Sequence, residues 1–448
     1  MSIRKVALFG LAAFLATSCS ATVAPPPAAH SPTSTSKPAA PANVAPRPAP
    51  ETSPLAKEWK SYGGTAYFGC PEEFSVSKSA LEDIRPKAFD SKTGQFASPA
   101  IPTVPEGEKI TGGMCALSNT VDDMKVVYVI TTSIPARKTE PPQLAAPEAT
   151  KTTAYLFDLK STQPLTVKDL QAPTPDLMLT AANQWRLAAT RTGVAWLNAF
   201  TDGHATTATP RTVILSNTDL SMAWNDPQAG QVWQDVLAFQ RNTVGKTSGA
   251  ELRVPTGEPV FQDNDIATVD TELSEGPDKL VKLTRRDAIS QVASTMFYDL
   301  NSRSIIRIGD SDRVSGAGLT ATLSDGKLFI DGHGSTDSQF GFGVWNLHSR
   351  QWDLLKTRDE ANTMAIAKLT FFGDRLYVTY AAGTLSVIAL PAANPVASTW
   401  SVRPFARISG WTLVCRGETA GATGAVGAAC KEILLVADQD GHYPGPWA

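Results

Sequence analysis

Three of the chain's five histidines close the same tripeptide: Asp202-Gly203-His204, Asp331-Gly332-His333 and Asp440-Gly441-His442. An imidazole two positions after a carboxylate can carry a pH-dependent charge, move a proton or ligate a metal. Each tripeptide follows an apolar stretch that reads as the second strand of a hairpin, at 196–200, 328–330 and 433–436. If those strands are equivalent in a repeating fold, His204, His333 and His442 share one exposed face, and a ligand face is expected there. No metal centre is expected, because the three units are not ring neighbours. Turn chemistry is the competing explanation, since Asp-Gly is a favoured turn pair.

Other signatures of catalysis are missing. The chain has no Gly-x-Ser-x-Gly elbow, no His-Glu-x-x-His and no Walker loop, and no sialidase-type Asp box. Carboxylates are plentiful, but no spacing sets two of them across a cleft. No catalytic residue and no cofactor are therefore assigned. The phrase Ala88-Phe89-Asp90-Ser91-Lys92-Thr93-Gly94 resembles the docking phrase of pyrroloquinoline-quinone propellers. In that family it recurs in every blade and a Trp follows; here it occurs once without the Trp and reads as a turn. Trp224, Trp233, Trp345, Trp352, Trp400 and Trp411 are read as packing between sheets rather than lining a sugar site.

What positions these groups begins with where the chain goes. Forty basic against 43 acidic residues exclude a polybasic surface, so no nucleic acid partner is expected. Residues 1–18 hold Arg4 and Lys5, a short apolar run and a small-residue cleavage site, which is a signal peptide. Leu15-Ala16-Thr17-Ser18-Cys19 resembles the lipobox of bacterial lipoproteins, with Ala16 in place of the usual Leu. The resemblance implies acylation of Cys19 and anchoring at the extracytoplasmic face of the cell membrane. Residues 19–54 carry ten prolines among Ala, Ser and Thr, the composition of an unfolded, extended tether. At about 3.1 Å per residue it would reach roughly 110 Å. Its length and bias resemble lipoproteins of high-GC Gram-positive bacteria.

Beyond Cys19 there are four cysteines, Cys70, Cys115, Cys415 and Cys430. An even number in an exported chain is expected to form disulfides. Pairing 70–115 and 415–430 keeps each link local.

From about residue 110, apolar strands alternate with Gly, Asp and Asn turns. Phe157-Asp158-Leu159-Lys160-Ser161, Tyr298-Asp299-Leu300-Asn301-Ser302 and Trp345-Asn346-Leu347-His348-Ser349 repeat one phrase. Asp299 and Asn346 are 47 residues apart, and Asp158 and Asp299 are three times that. A period in the forties is the size of one four-stranded blade. The expected fold is all-β: a β-propeller of about seven blades over 55–448, closed by strands from both termini. Inner hairpins are expected near 114–131, 187–200, 231–241, 260–284, 319–331, 369–380 and 411–437. The last is completed by strands near 62–78.

Function follows only in outline. The expectation is a membrane-anchored lipoprotein whose propeller binds or scaffolds, without catalysis. Its partners would be the lipid bilayer, through acylated Cys19, and an envelope protein or wall polymer. One alternative is an exported propeller enzyme acting on glycans; another is a solute-binding lipoprotein. Two or more carboxylates converging at the channel mouth would favour the enzyme.

Overall fold

The computed structural model describes 47–48, 60–62, 65–67, 88–90 and most of 95–445. Within that last span 121–122, 135–148, 171–184, 199–211, 227–230, 242–248, 287–291, 334–337, 419–429 and a few single positions are not described. The described chain is a seven-bladed β-propeller, and blades 1 to 6 are antiparallel sheets whose strands follow one another in sequence. Blade 1 is Lys109–Thr120, Asp123–Ile134, Ala149–Asp158 and Thr166–Leu170. Blade 2 is Trp185–Ala189, Gly193–Asn198, Thr212–Ser216 and Met222–Asp226. Blade 3 is Gln231–Val232, Leu237–Arg241, Gly249–Arg253 and Pro259–Asp263. Blade 4 is Ile266–Glu275, Asp278–Arg286, Ala293–Asp299 and Ser304–Ile305. Blade 5 is Thr320–Ser324, Lys327–Asp331, Phe340–Asn346 and Gln351–Thr357. Blade 6 is Ile366–Phe372, Arg375–Tyr380, Leu385–Ala389 and Asn394–Ala397.

Blade 7 is built from both ends of the chain. Val402–Ile408, Trp411–Glu418 and Cys430–Ala437 supply three strands, and Arg47–Pro48 pairs with the outermost of them. The hairpin Lys60–Tyr62/Thr65–Tyr67 joins the opposite side of the sheet, bridging Thr65 to Arg407 in parallel. Closure by both termini leaves fewer free strand edges. Three expectations are corrected here. Arg47–Pro48 pairs into blade 7, so the propeller begins inside the 19–54 stretch expected to be an extended tether. The pair 411–437 is the second and third strand of blade 7, because 402–408 precedes it. The fourth expected hairpin spans two blades, since Pro259–Asp263 ends blade 3 and Ile266 opens blade 4.

The repeated phrase falls at one structural position. Asp158, Asp299 and Asn346 each end a third strand, and their carboxylate or amide oxygen caps the following turn. Asp158 Oδ1 accepts from Lys160 N at 3.0 Å, Asp299 Oδ1 from Asn301 N at 2.8 Å, and Asn346 Oδ1 from His348 N at 3.0 Å. The preceding aromatics Phe157, Tyr298 and Trp345 are all buried. The phrase thus marks the turn between third and fourth strands, but the 47-residue spacing holds only from blade 4 to blade 5, since the third strands of blades 2 and 3 end at Ser216 and Arg253.

Apolar side chains fill the seams between blades, as facing sheets require. Val127, Val129 and Leu156 of blade 1 meet Val194 and Leu215 of blade 2. Leu280 and Phe297 of blade 4 meet Leu328, Ile330 and Trp345 of blade 5. Trp345 packs edge-on to Trp352 at 5.2 Å, and Trp400 edge-on to Tyr377 at 5.6 Å. One short helix, α1 (Arg358–Thr363), links blades 5 and 6 and is opened by a capping box between Thr357 and Glu360. Among the described residues no helix is long and apolar enough to cross a membrane.

Candidate functional site

The turns between first and second strands all lie at one face, because every blade repeats the same up-down course. Polar contacts at these turns run from blade to blade. Ser118 of blade 1 donates to Thr190 O of blade 2 at 3.3 Å and accepts from Asn217 Nδ2 at 2.8 Å. Arg191 of blade 2 grips Asp235 of blade 3 with two bonds of 2.7 Å. Lys279 of blade 4 reaches the same carboxylate at 2.9 Å. Burial works to raise the Asp235 pKa, yet the hydrogen bonds from Arg191 and Lys279 hold it below the usual aspartate value.

The first strand of blade 4 carries two glutamates, Glu272 buried and Glu275 half-buried, that serve opposite seams. Glu272 accepts the backbone N–H of Asp235 at 3.0 Å. Glu275 accepts the backbone N–H of Asp325 in blade 5 and the Ser324 hydroxyl, the latter at 3.3 Å. Ser324 Oγ in turn accepts from Gly373 N of blade 6 at 2.8 Å. Burial pushes the Glu272 carboxyl up to about 8 and that of Glu275 up to about 7.

Arg407, on the first strand of blade 7, gathers this end of the face. Its Nη1 lies 2.6 Å from Asp325 and 3.5 Å from Glu275, and its Nε lies 3.2 Å from Asp438. The guanidinium stacks over Phe372 of blade 6, 5.3 Å from the ring centroid. Four successive blades meet at one cation. Three carboxylates do converge here, the arrangement that would favour an enzyme. Asp325 and Asp438 face the guanidinium, and Glu275 is occupied by a neighbouring blade's turn, so their present work is to hold blades together.

The histidine tripeptides divide. His442 Nδ1 lies 3.6 Å from Asp325 Oδ2, so it stands at the tip of the blade 5 hairpin. His333 follows the second strand of that same hairpin and lies at its open end. His333 and His442 therefore occupy opposite faces, which corrects the shared face expected from sequence. The cause is the one-strand slip in blade 7, which places His442 after a third strand, not a second. His204 lies outside the described residues. Even the turns differ. Asp440 and Gly441 both have positive φ, and Gln439 and His442 exchange backbone bonds, which makes a two-residue hairpin turn. Asp331 instead accepts from the backbone and ring nitrogens of His333, and that side-chain bond raises the imidazole pKa. Among the described residues, no group of His, Cys, Asp and Glu is placed to hold a metal ion.

Cys115 and Cys415 are buried and disulfide-bonded. The side chains of Cys70 and Cys430 lie outside the described residues, as does Cys19. In the blade 7 hairpin Cys415 stands opposite Ile433, and Cys430 opposite Glu418. That offset is about 10 Å along the strands, beyond the usual reach of a disulfide, and it argues against the local 415–430 link.

A cleft of about 370 Å³ opens between blades 4 and 5 on the face of the first turns. Its walls include Asp278 and Asp299 from blade 4, and His348 and Arg350 from the blade 5 turn. Leu280, Trp345 and Leu347 supply apolar surface. Burial raises the Asp278 pKa, while the nearby His348 acts to lower it and Asp299 to raise it. Two of the repeated phrases thus form opposite walls. Sequence reading placed both turns correctly but had no means of seeing that they face each other.

No family model matches the chain. No curated protein matches it either. Solved structures that align with it include BamB from Moraxella catarrhalis, at 9% identity and TM-score 0.33, over 75% of this chain and 99% of that one. TolB from Acinetobacter baumannii aligns at 11% identity and TM-score 0.25, over 69% of this chain and 81% of that one. A eukaryotic initiation factor aligns at 13% identity and TM-score 0.40, over 77% and 78% of the respective chains.

Proposed function

We propose that the chain is an exported lipoprotein, held to the membrane by acylated Cys19, whose propeller binds a ligand or partner at the extracytoplasmic surface without turning it over. One observation carries the binding role. The carboxylates where four blades meet are tied to Arg407 or to backbone N–H groups, whereas the blade 4–5 cleft presents charged groups to solvent. A concave site with a few convergent polar groups over apolar surface is the common form of a small-ligand site. The anchor rests on the lipobox resemblance and on the proline-rich tether behind it. Two or three acyl chains hold a protein firmly where one does not, at about 0.8 kcal/mol per buried CH₂.

Mass spectrometry of the mature N-terminal peptide should find acyl chains on Cys19, and Cys19→Ala should release the protein from the membrane fraction. An unmodified, soluble wild-type chain overturns the anchor. Release of reducing ends from wall glycans, lost in Glu275→Gln or Asp325→Asn, would replace the binding role with the enzyme.

A further inference from the structure

We propose that the cleft between blades 4 and 5 takes a small zwitterion, a peptide-like molecule bearing both a free ammonium group and a free carboxylate. This rests on the reading of the propeller as a binding module and names what that module binds. Three ionisable side chains at the cleft are not tied down by a close partner. Among the described residues Asp278, His348 and Arg350 make no side-chain hydrogen bond or ion pair, unlike Asp235, Asp325 and Asp438 elsewhere on the face. The half-buried Asp278 sits where desolvation disfavours its charge, and a cation from outside would restore it.

The charges divide by blade with one exception, Arg307, which follows the last strand of blade 4 and has an interaction of its own. Blade 4 brings Asp278 and Asp299, whose positions are fixed by the bonds of their own turns: Leu300 N donates to Lys279 O at 2.9 Å and Asn301 Nδ2 to Pro277 O at 2.7 Å. Blade 5 brings His348 and Arg350, on a turn braced by Asn346. A polyanion entering the cleft would meet the two aspartates, and a polycation would meet the arginine and imidazole. A neutral sugar would leave Asp278 with only the nearby His348 as a counter-charge. A molecule with one charge of each sign satisfies both walls, with the ammonium toward Asp278 and the carboxylate toward Arg350. Leu280, Trp345 and Leu347 give the aliphatic part its contact. The volume is at the small end of ligand pockets, roughly 300–1,000 Å³, and suits about two or three amino-acid residues.

The test is calorimetric titration of the full chain with Ala-Ala-Ala, its N-acetylated form and its C-terminal amide. Saturable one-to-one binding of the free tripeptide is expected, weakened at least tenfold by blocking either end. Asp278→Asn should lose about what N-acetylation loses and add nothing to it, and Arg350→Gln should behave likewise toward the amide. Far-ultraviolet circular dichroism and the melting curve establish that both variants remain folded. Equal binding of blocked and free peptides, or no binding of any, overturns the proposal. Chitotriose or poly(glycerol phosphate) binding that is lost in these two variants, with Ala-Ala-Ala inert, overturns the zwitterion and leaves the binding module standing.

Discussion

Glu272 accepts a hydrogen bond from the backbone N–H of Asp235 at 3.0 Å, across the seam between blades 3 and 4. Three residues on, Glu275 makes the equivalent bond to Asp325 across the next seam. Neighbours three apart on a strand point to opposite sides, so one strand clamps both of its neighbours. The clamp is built from groups that bury badly when ionised.

The pH dependence follows from that. Both carboxyls have folded-state pKa values raised, to about 8 and about 7, above the ordinary 4.5 of an unfolded glutamate. Their contribution to stability is fully present below about pH 4.5 and is lost as pH rises through about 7 and then about 8. The melting temperature should fall by a few degrees between pH 5.5 and 8.5, measured by calorimetry at fixed ionic strength. Glu272→Gln keeps a carbonyl acceptor for Asp235 N–H and cannot ionise. It should match wild type at pH 5.5 and exceed it at pH 8.5; an unchanged slope would remove Glu272 from the account.

Arg407→Met should be among the most damaging single changes on this face. It leaves the Asp438 side chain, 2% exposed, facing no cation, and frees Asp325. Breaking a buried pair from one side costs about 3–5 kcal/mol, because the remaining charge stays buried. Among the described residues the Asp438 carboxylate keeps its bond from Thr412 Oγ1 at 2.5 Å. Adding Asp438→Asn should restore part of the loss, and urea unfolding of the single and double variants measures the coupling.

Gly326 tests the floor of the hairpin tip beside the cleft. Its φ is +69°, and a Cβ there would stand 2.6 Å from His348 Cε1 and 3.6 Å from Asp278 Oδ2. Left-handed backbone costs an ordinary L-residue about 1–2 kcal/mol. Gly326→Ala should lose about that much in chemical denaturation, and the His348 ring signals should shift in NMR spectra. No shift would mean that His348 is not seated over the turn.

The elements legible in sequence were those with a local cause. Asp158, Asp299 and Asn346 announced their turns because an oxygen at that position caps the backbone two residues on. Asp325-Gly326 announced a hairpin because both residues take positive φ. The slip in blade 7 arose at Val402–Ile408, whose Arg403, Pro404 and Arg407 do not read as an inner strand. Arg403 is nevertheless buried, and its Nη1 donates to Thr370 at 2.6 Å in blade 6. Charges on inner strands were in fact the signal of the inter-blade belt. The cleft was not legible, since it joins turns from separate blades that only the ring brings together.

Ring closure supplies the remaining test. Arg47 and Pro48 pair with Leu435 and Leu434, the outer edge of the last C-terminal strand. Both leucines are 1% exposed, so this edge belongs to a packed sheet and not to a loose flap. Deleting residues 45–50 removes only that outer strand and leaves the 60–67 hairpin on the inner side. The freed edge offers its N–H and C=O groups to any other chain, the usual route to edge-to-edge association. The deletion should show concentration-dependent oligomers by light scattering and faster hydrogen exchange at the Leu434 and Leu435 amides. Blades 2 to 5 should keep wild-type exchange, because their seams are filled independently of blade 7. Unchanged exchange at Leu434 and Leu435, with the chain still monomeric, would show that the 47–48 strand does not close the ring.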